Sequence, residues 1–179
     1  HLGPQHQRID LSTNSSHPPI VGTHRAHCVW HSEEDTQAFA QALARPAAIR
    51  NCYIELQGDL GTGKTTLVRH LLRALGVTGR IKSPTYAVVE PHEAGDLAIW
   101  HFDFYRFNDP QEWEDAGFRD IFASPGLKLA EWPHQAAGRL PTPDLTIAIE
   151  LCADETRQVH FSAYTDTGAA LIQSLPHAL

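Results

Sequence analysis

The chain is expected to fold as an α/β three-layer sandwich around a mixed, mostly parallel sheet, and three features of its sequence lead there. A glycine-rich loop joins a strand-like run to a helix-like run. Further strand-like and helix-like runs alternate unevenly along the chain. Two of the apolar strand-like runs each end in a carboxylate.

The elements follow in order. Residues 28–31 read as a short first strand, and Glu33–Ala44 as a helix that opens on Glu33-Glu34-Asp35-Thr36. In the next strand, 53–57, Cys52, Ile54 and Leu56 alternate with Tyr53, Glu55 and Gln57, the period of two that leaves one face buried. The helix Lys64–Leu75 carries Leu67, Val68, Leu71, Leu72 and Leu75 as an apolar stripe. Arg69, His70 and Arg73 lie opposite, and Gly76 is its stop. Strands are expected at 85–89, Leu97–Asp103, Leu127–Glu131, Leu145–Leu151 and 157–164, with helices at 110–118 and 168–175. The pair before Asp103 and the final pair have no helix between them, so antiparallel members must join the parallel centre.

The loop Gly58-Asp59-Leu60-Gly61-Thr62-Gly63-Lys64-Thr65 carries the chemistry. A chain that wraps a triphosphate must turn its backbone N–H groups inward, and glycine permits both the left-handed dihedrals and the close approach. Lys64 sets an ammonium against the β- and γ-phosphates, Thr65 offers a hydroxyl to Mg²⁺, and the following helix aims its positive end at the anion. Asp59, Leu60, Gly61, Thr62, Gly63, Lys64, Thr65 and Thr66 are thus the expected nucleotide-binding set of a P-loop NTPase. The guanine-reading Asn-Lys-x-Asp sequence is absent, which points to ATP.

Hydrolysis also needs a carboxylate for the metal and a group to position water. Asp103 ends the run Leu97–Asp103 and reads either as that carboxylate or as a cap of the turn before Asn108-Asp109-Pro110. Glu131 ends Leu127–Glu131, stopped by Pro133, and is the second acid, with a surface ion pair as its plainer alternative. Together the two acids suit one Mg²⁺, one as ligand and the other orienting water. Trp132 reads as core or as a plate over the base. In Lys82-Ser83-Pro84-Thr85-Tyr86, Thr85 is either a sensor of the γ-phosphate or the start of a strand.

Composition bounds the partners. The 179 residues hold 14 basic and 21 acidic side chains, for a net charge of −7 and a pI near 5.9. That balance argues against a broad basic face for RNA or DNA. Cys28, Cys52 and Cys152 are odd in number and form no Cys-x-x-Cys pair, so a reducing cytoplasm fits. No apolar run approaches the roughly 20 residues that cross a bilayer, so a soluble protein with no membrane role is expected. Residues 1–27, rich in His, Pro, Ser, Gln and Asn, read as a flexible extension before one ATPase domain at 28–179. His1, His6, His17, His24, His27 and His31 are too irregularly spaced for a metal site.

Taken together, residues 58–65, Ser83-Pro84-Thr85-Tyr86, His101-Phe102-Asp103-Phe104-Tyr105-Arg106 and Glu131-Trp132-Pro133 strongly resemble the bacterial TsaE family. The likeness spans roughly residues 29–175. It implies an ATPase subunit of tRNA N6-threonylcarbamoyladenosine synthesis, whose turnover resets a complex of TsaB-like and TsaD-like proteins. That complex modifies adenosine 37 of tRNAs reading ANN codons, so tRNA is met only indirectly. By the same resemblance Thr65 and Glu131 serve Mg²⁺, Asp103 is the second-strand acid, and Thr85 lies in a switch-like segment. Thr36, Trp132 and Arg157 approach the nucleotide. Thr62 and Phe104 stand where alanine and leucine are usual. His101, Tyr105, Arg106 and Glu112-Trp113-Glu114 are either partner contacts or structural. Two other functions share the loop. A small-molecule kinase needs a lid of clustered arginines, whereas after Glu131 only Arg139 and Arg157 are present. A nucleotide-gated binding module needs only different affinities of its two states.

Overall fold

A computed structural model describes residues 17–85, 88–105, 117–132 and 138–177. Its seven strands are β1 (Pro19–Trp30), β2 (Cys52–Gln57), β3 (Val89–Ala94), β4 (Leu97–Asp103), β5 (Leu127–Glu131), β6 (Leu145–Leu151) and β7 (Arg157–Thr165). They form one sheet in the order β1-β7-β6-β2-β5-β4-β3. The central four, β6, β2, β5 and β4, run parallel. The outer pairings β1–β7, β6–β7 and β3–β4 are antiparallel, as the missing crossover helices require.

Helices cover both faces. On one lie α1 (Glu33–Ala44), α2 (Lys64–Leu75) and α4 (Asp166–Ser174), packed through Phe39, Leu43, Leu67, Leu71, Leu72 and Leu171 onto Ile54, Leu56, Ile99, Leu129, Ile147 and Phe161. On the other lies α3 (Phe118–Ala123), over a smaller aromatic core of Tyr53, Phe102, Phe104, Phe118 and Phe122. Phe102 stacks on Phe104 and Phe122 at 5.5 and 5.0 Å and meets the edge of Phe118 at 5.5 Å. Because side chains alternate along a strand, β2 sends Cys52, Ile54 and Leu56 to the first core and Tyr53 to the second.

Helix ends are set locally. The Ser32 hydroxyl accepts from the Asp35 N–H and begins α1, whose first turn carries Glu33, Glu34 and Asp35 toward the positive end of the helix. The helix α2 stops at Gly76 in the left-handed region, φ 106°.

Three expectations need correction or narrowing. The first strand begins at Pro19 rather than at residue 28, so the expected flexible extension of 1–27 gives up its last part to the sheet, and residues 1–16 lie outside those described. Its periodicity is hard to read because the β1–β7 register shifts between Pro19 and His24. The strand expected at 85–89 is instead β3, which starts at Val89; Tyr86 lies outside the described residues. Glu90, Pro91, His92 and Glu93 have weak strand propensity, and β3 forms at the sheet edge, where proline is tolerated, by pairing with β4 across Gly95. Of the helix expected at 110–118, residues 110–116 lie outside those described, as do Arg106, Glu112, Trp113, Glu114 and Pro133; the described helix α3 begins at Phe118. A 3₁₀ turn at Ala47–Arg50 was not expected.

At the amino ends of the parallel strands one buried carboxylate ties several elements together. Asp144 Oδ2 accepts from the Tyr53 N–H at 2.8 Å, and Oδ1 accepts from the Thr165 hydroxyl at 2.6 Å and meets His17 Nδ1 at 2.9 Å. Thr165 in turn caps α4, accepting from the Gly168 N–H at 3.1 Å. Gly168 lies so close to the strand that a Cβ there would stand 1.8 Å from the Asp144 carbonyl oxygen. Gly168→Ala is therefore expected to lose about 3 kcal/mol of stability by overpacking, read from urea unfolding midpoints. A loss below about 1 kcal/mol would show that α4 can slide without breaking the Asp144 knot.

Candidate functional site

At the carboxyl end of β2 the chain turns through residues 58–63 into α2. Gly58 has φ 144°, and a Cβ on it would meet the Ile149 carbonyl oxygen at 2.5 Å. Gly63, φ 110°, is the N-cap of α2 and has no side chain to accept from the first-turn amides, which stay available to an anion. Thr62 braces the turn beneath, its hydroxyl donating to the Asp59 carbonyl at 2.9 Å. From the start of β7, the Arg157 Nε donates to the Thr62 carbonyl at 2.6 Å and clamps the loop from outside.

Lys64 folds back over this loop. Its ammonium donates to the carbonyls of Gly58 at 2.5 Å and Asp59 at 3.0 Å, and lies 4.3 Å from the centre of the Trp132 ring. Burial lowers the Lys64 pKa, opposed by the charges of Glu131, Asp103 and Asp59. Trp132 reaches that position because its backbone adopts φ 57°, the left-handed region, at a cost on the order of 1–3 kcal/mol for such a residue. Its ring also meets that of Tyr105, centre to centre at 5.1 Å.

Two acids face the start of α2. Parallel pairing of β4 with β5 places Asp103 directly beside Glu131 in register. Glu131 is buried; its Oε1 and Oε2 accept from the Thr65 hydroxyl at 3.1 and 3.4 Å, and Oε2 meets His101 Nε2 at 2.5 Å. Asp103 Oδ1 accepts from the Tyr105 N–H at 3.0 Å. Burial is the main cause raising the Asp103 pKa above its ordinary 3.8, and neighbouring Glu131 adds to it.

These groups surround a cavity of about 240 Å³ lined by Leu60, Gly61, Gly63, Lys64, Thr65, Thr66, Asp103, Glu131, Trp132 and Arg157. Most of the residues expected at the site from sequence thus come together. Asp59 and Thr62 support the loop from its far side, where they border a separate groove with Ile149 and Leu151. Thr36 and Thr85 are not among the residues that line the cavity: Thr36 is buried on α1, in the helix layer. Trp132 packs against the aromatic core, as its core reading expected, and its ring also lies over Lys64. The direct partner of Thr65 is Glu131, not Asp103. The hydrogen bond from His101 to Glu131 was not foreseen, although His101 lies two residues before Asp103 and so faces the same side of β4.

The donor set suits a hard cation. Asp103, Glu131 and Thr65 offer only oxygen, and the described residues hold no group of three or more His, Cys, Asp or Glu side chains able to hold a metal ion. An ion at this place would complete its shell from phosphate and water, as Mg²⁺ does beside a nucleotide.

Comparisons with known proteins identify the family. The model of the family described as threonylcarbamoyl adenosine biosynthesis protein TsaE matches residues 30–159. The chain is similar to the tRNA threonylcarbamoyladenosine biosynthesis protein TsaE of Haemophilus influenzae, 38% identical over 136 residues, covering 76% of this chain and 85% of that protein. It is also similar to the Bacillus subtilis protein of the same name, 34% identical over 145 residues, covering 79% and 88%. Among solved structures it resembles the crystal structure of Bacillus subtilis YdiB, with a TM-score of 0.69 and 28% identity over 86% of this chain and 95% of that one. No helix among the described residues is long and apolar enough to cross a membrane.

The raised Asp103 pKa has a measurable consequence for the ligand-free protein. The folded state holds this proton more tightly than the unfolded chain, so the contribution of Asp103 to stability is full below pH 3.8 and is lost as pH rises through the folded pKa. Asp103→Asn is expected to be more stable than the parent at pH 7, by less than about 1 kcal/mol because the group is half-exposed and screened. The advantage should vanish at pH 3 in urea titrations. An Asn variant less stable than the parent at pH 7 would mean that ionised Asp103 is satisfied in the fold.

Proposed function

The chain belongs to the TsaE family of threonylcarbamoyl adenosine biosynthesis proteins, and from that membership and the loop geometry we propose that it is a Mg²⁺-dependent ATPase. Its turnover supports formation of threonylcarbamoyladenosine at tRNA position A37 by a complex of TsaB-like and TsaD-like proteins. The observation that carries the reading is the Thr65–Glu131 hydrogen bond at the mouth of a glycine-lined loop, because it joins a phosphate cradle to a metal-site acid.

In this mechanism the first-turn amides of α2 and those of the loop take the β- and γ-phosphates, with the positive end of the helix behind them. Lys64 exchanges the Gly58 and Asp59 carbonyls for phosphate oxygens. Thr65 and Glu131 would hold Mg²⁺, which would supply neutralisation of phosphate charge. Asp103, beside Glu131 and open to the cavity, orients the attacking water. Arg157 fixes the loop through Thr62 and borders the phosphates. Thr36 and Thr85 stand outside the cavity lining, and no step of this mechanism is assigned to them.

An acidic subunit meets tRNA through its partners, since a net charge of −7 gives little non-specific grip on a phosphate backbone. Cys28, Cys52 and Cys152 are free thiols, which agrees with work in the cytoplasm.

Lys64→Ala is expected to lower kcat/KM for ATP at least 100-fold, about 3 kcal/mol of transition-state stabilisation. An unchanged rate would contradict the site. Phosphate release with and without the TsaB/TsaD pair tests the wider role: an ATPase subunit responds to its partners, a binding module shows no turnover with or without them, and a kinase requires an added acceptor.

A further inference from the structure

We propose that His101 is a positioning residue that sets the orientation of the Glu131 carboxylate; this rests on the ATPase reading above. Glu131 ends in a torsion with a broad, two-fold preference, so packing alone holds its carboxylate poorly. It also stands opposite Asp103, a second acid whose like charge repels it. Two groups hold it in place. The Thr65 hydroxyl lies almost equally far from both oxygens, 3.1 and 3.4 Å, and so does not choose between them. His101 does choose, meeting Oε2 alone at 2.5 Å. That leaves Oε1 to Thr65, on a residue that lines the cavity.

The imidazole is not there for packing. His101 is fully buried, and its other ring nitrogen, Nδ1, has no hydrogen-bond partner among the described residues. On the same face of β4 lies Ile99, and the facing residue on β5 is Leu129. A leucine would fill such a place without stranding a nitrogen. The Nε2 contact with Glu131 is what the histidine adds, and a donor from Nε2 leaves Nδ1 as the idle lone pair. Geometry also places the bond usefully. Asp103 and His101 lie two residues apart on one strand, so β4 presents one acid itself and braces the acid of its neighbour. Once nucleotide and metal draw on the Thr65 hydroxyl, the His101 contact still fixes the carboxylate.

The test compares His101→Leu, His101→Gln and His101→Asn in the full chain, by ATP hydrolysis, Mg²⁺ titration and binding of a fluorescent ADP analogue. The Leu variant should lose about 10-fold or more in kcat and require more Mg²⁺ for half-maximal rate, the usual scale for removing a partner of a metal-site ligand. Its affinity for the ADP analogue should stay within about twofold, a split that a general loss of structure would not give. Gln, whose amide N–H reaches about as far as Nε2, should recover most of the rate, whereas the shorter Asn should not. Equal rates in the parent and the Leu variant overturn the proposal, and so do Gln and Asn variants impaired to the same degree. If the Leu variant does not fold, the Gln and Asn pair decides. A parent chain without turnover counts against the ATPase reading instead. The positioning role is then judged from crystal structures, where Glu131 keeping its orientation on Thr65 in the Leu or Asn variant would refute it.

Discussion

A carboxylate buried at the end of a parallel strand governs this molecule. Taking the Glu131 side chain out of water is expensive unless donors replace the solvent. Those donors come from two other elements, Thr65 at the start of α2 and His101 on β4. The requirement therefore latches the amino end of α2 to the carboxyl ends of β5 and β4. Since β2 also pairs with β5, Leu56 opposite Glu131, both ends of the loop at 58–63 are fixed to the same part of the sheet. A loop anchored at both ends presents its amides without rearrangement, which is the condition for electrostatic preorganisation.

The two poles of the sheet differ in how far their polar groups are satisfied. At the amino ends, Asp144 is saturated by Tyr53, Thr165 and His17, and Gly168 lets α4 close over it. That pole is a structural knot. At the carboxyl ends the first turn of α2 keeps unused donors, and Lys64 leans on carbonyls that it can give up. Ligand sites of parallel sheets gather at the carboxyl ends of the strands, and here the reason is visible in the hydrogen-bond ledger of each pole. The left-handed backbone at Trp132 belongs to the same pole, where strain is retained because it sets a ring over the lysine.

How much of this was legible follows from the kind of signal each part leaves. The helices Glu33–Ala44 and Lys64–Leu75 and the strands Leu97–Asp103, Leu127–Glu131 and Leu145–Leu151 have the expected bounds, because burial of one face or both writes itself into hydrophobic periodicity. The edge strands β1 and β3 were displaced, since an edge strand needs its partner more than its own composition; Pro91 sits inside β3 and pairs with Trp100 all the same. In the site, the loop residues and both acids were readable from local motifs. The Lys64–Trp132 contact and the His101–Glu131 bond join residues far apart in sequence, and such pairings depend on strand order, which no local pattern carries. Asp144 was missed for the same reason: its partners Tyr53 and Thr165 lie on other strands.

Net charge sharpens what the proposed chemistry demands. On the proposed function a chain with seven more acidic than basic side chains would accept a polyanion, and beside the cavity it sets Asp103 and Glu131 against it. Lys64 opposes these acids locally, since the charges of Glu131 and Asp103 act directly on it. A bare triphosphate would still meet two carboxylates at its γ end. The acids and the Thr65 hydroxyl, for their part, are too few to hold a divalent ion alone. Each ligand thus lacks what the other provides, and the two must favour one another's binding by the same factor. On the proposed function the nucleotide would enter as its Mg²⁺ complex, and the orientation of Glu131 would be the point at which loop, metal and strand have to agree.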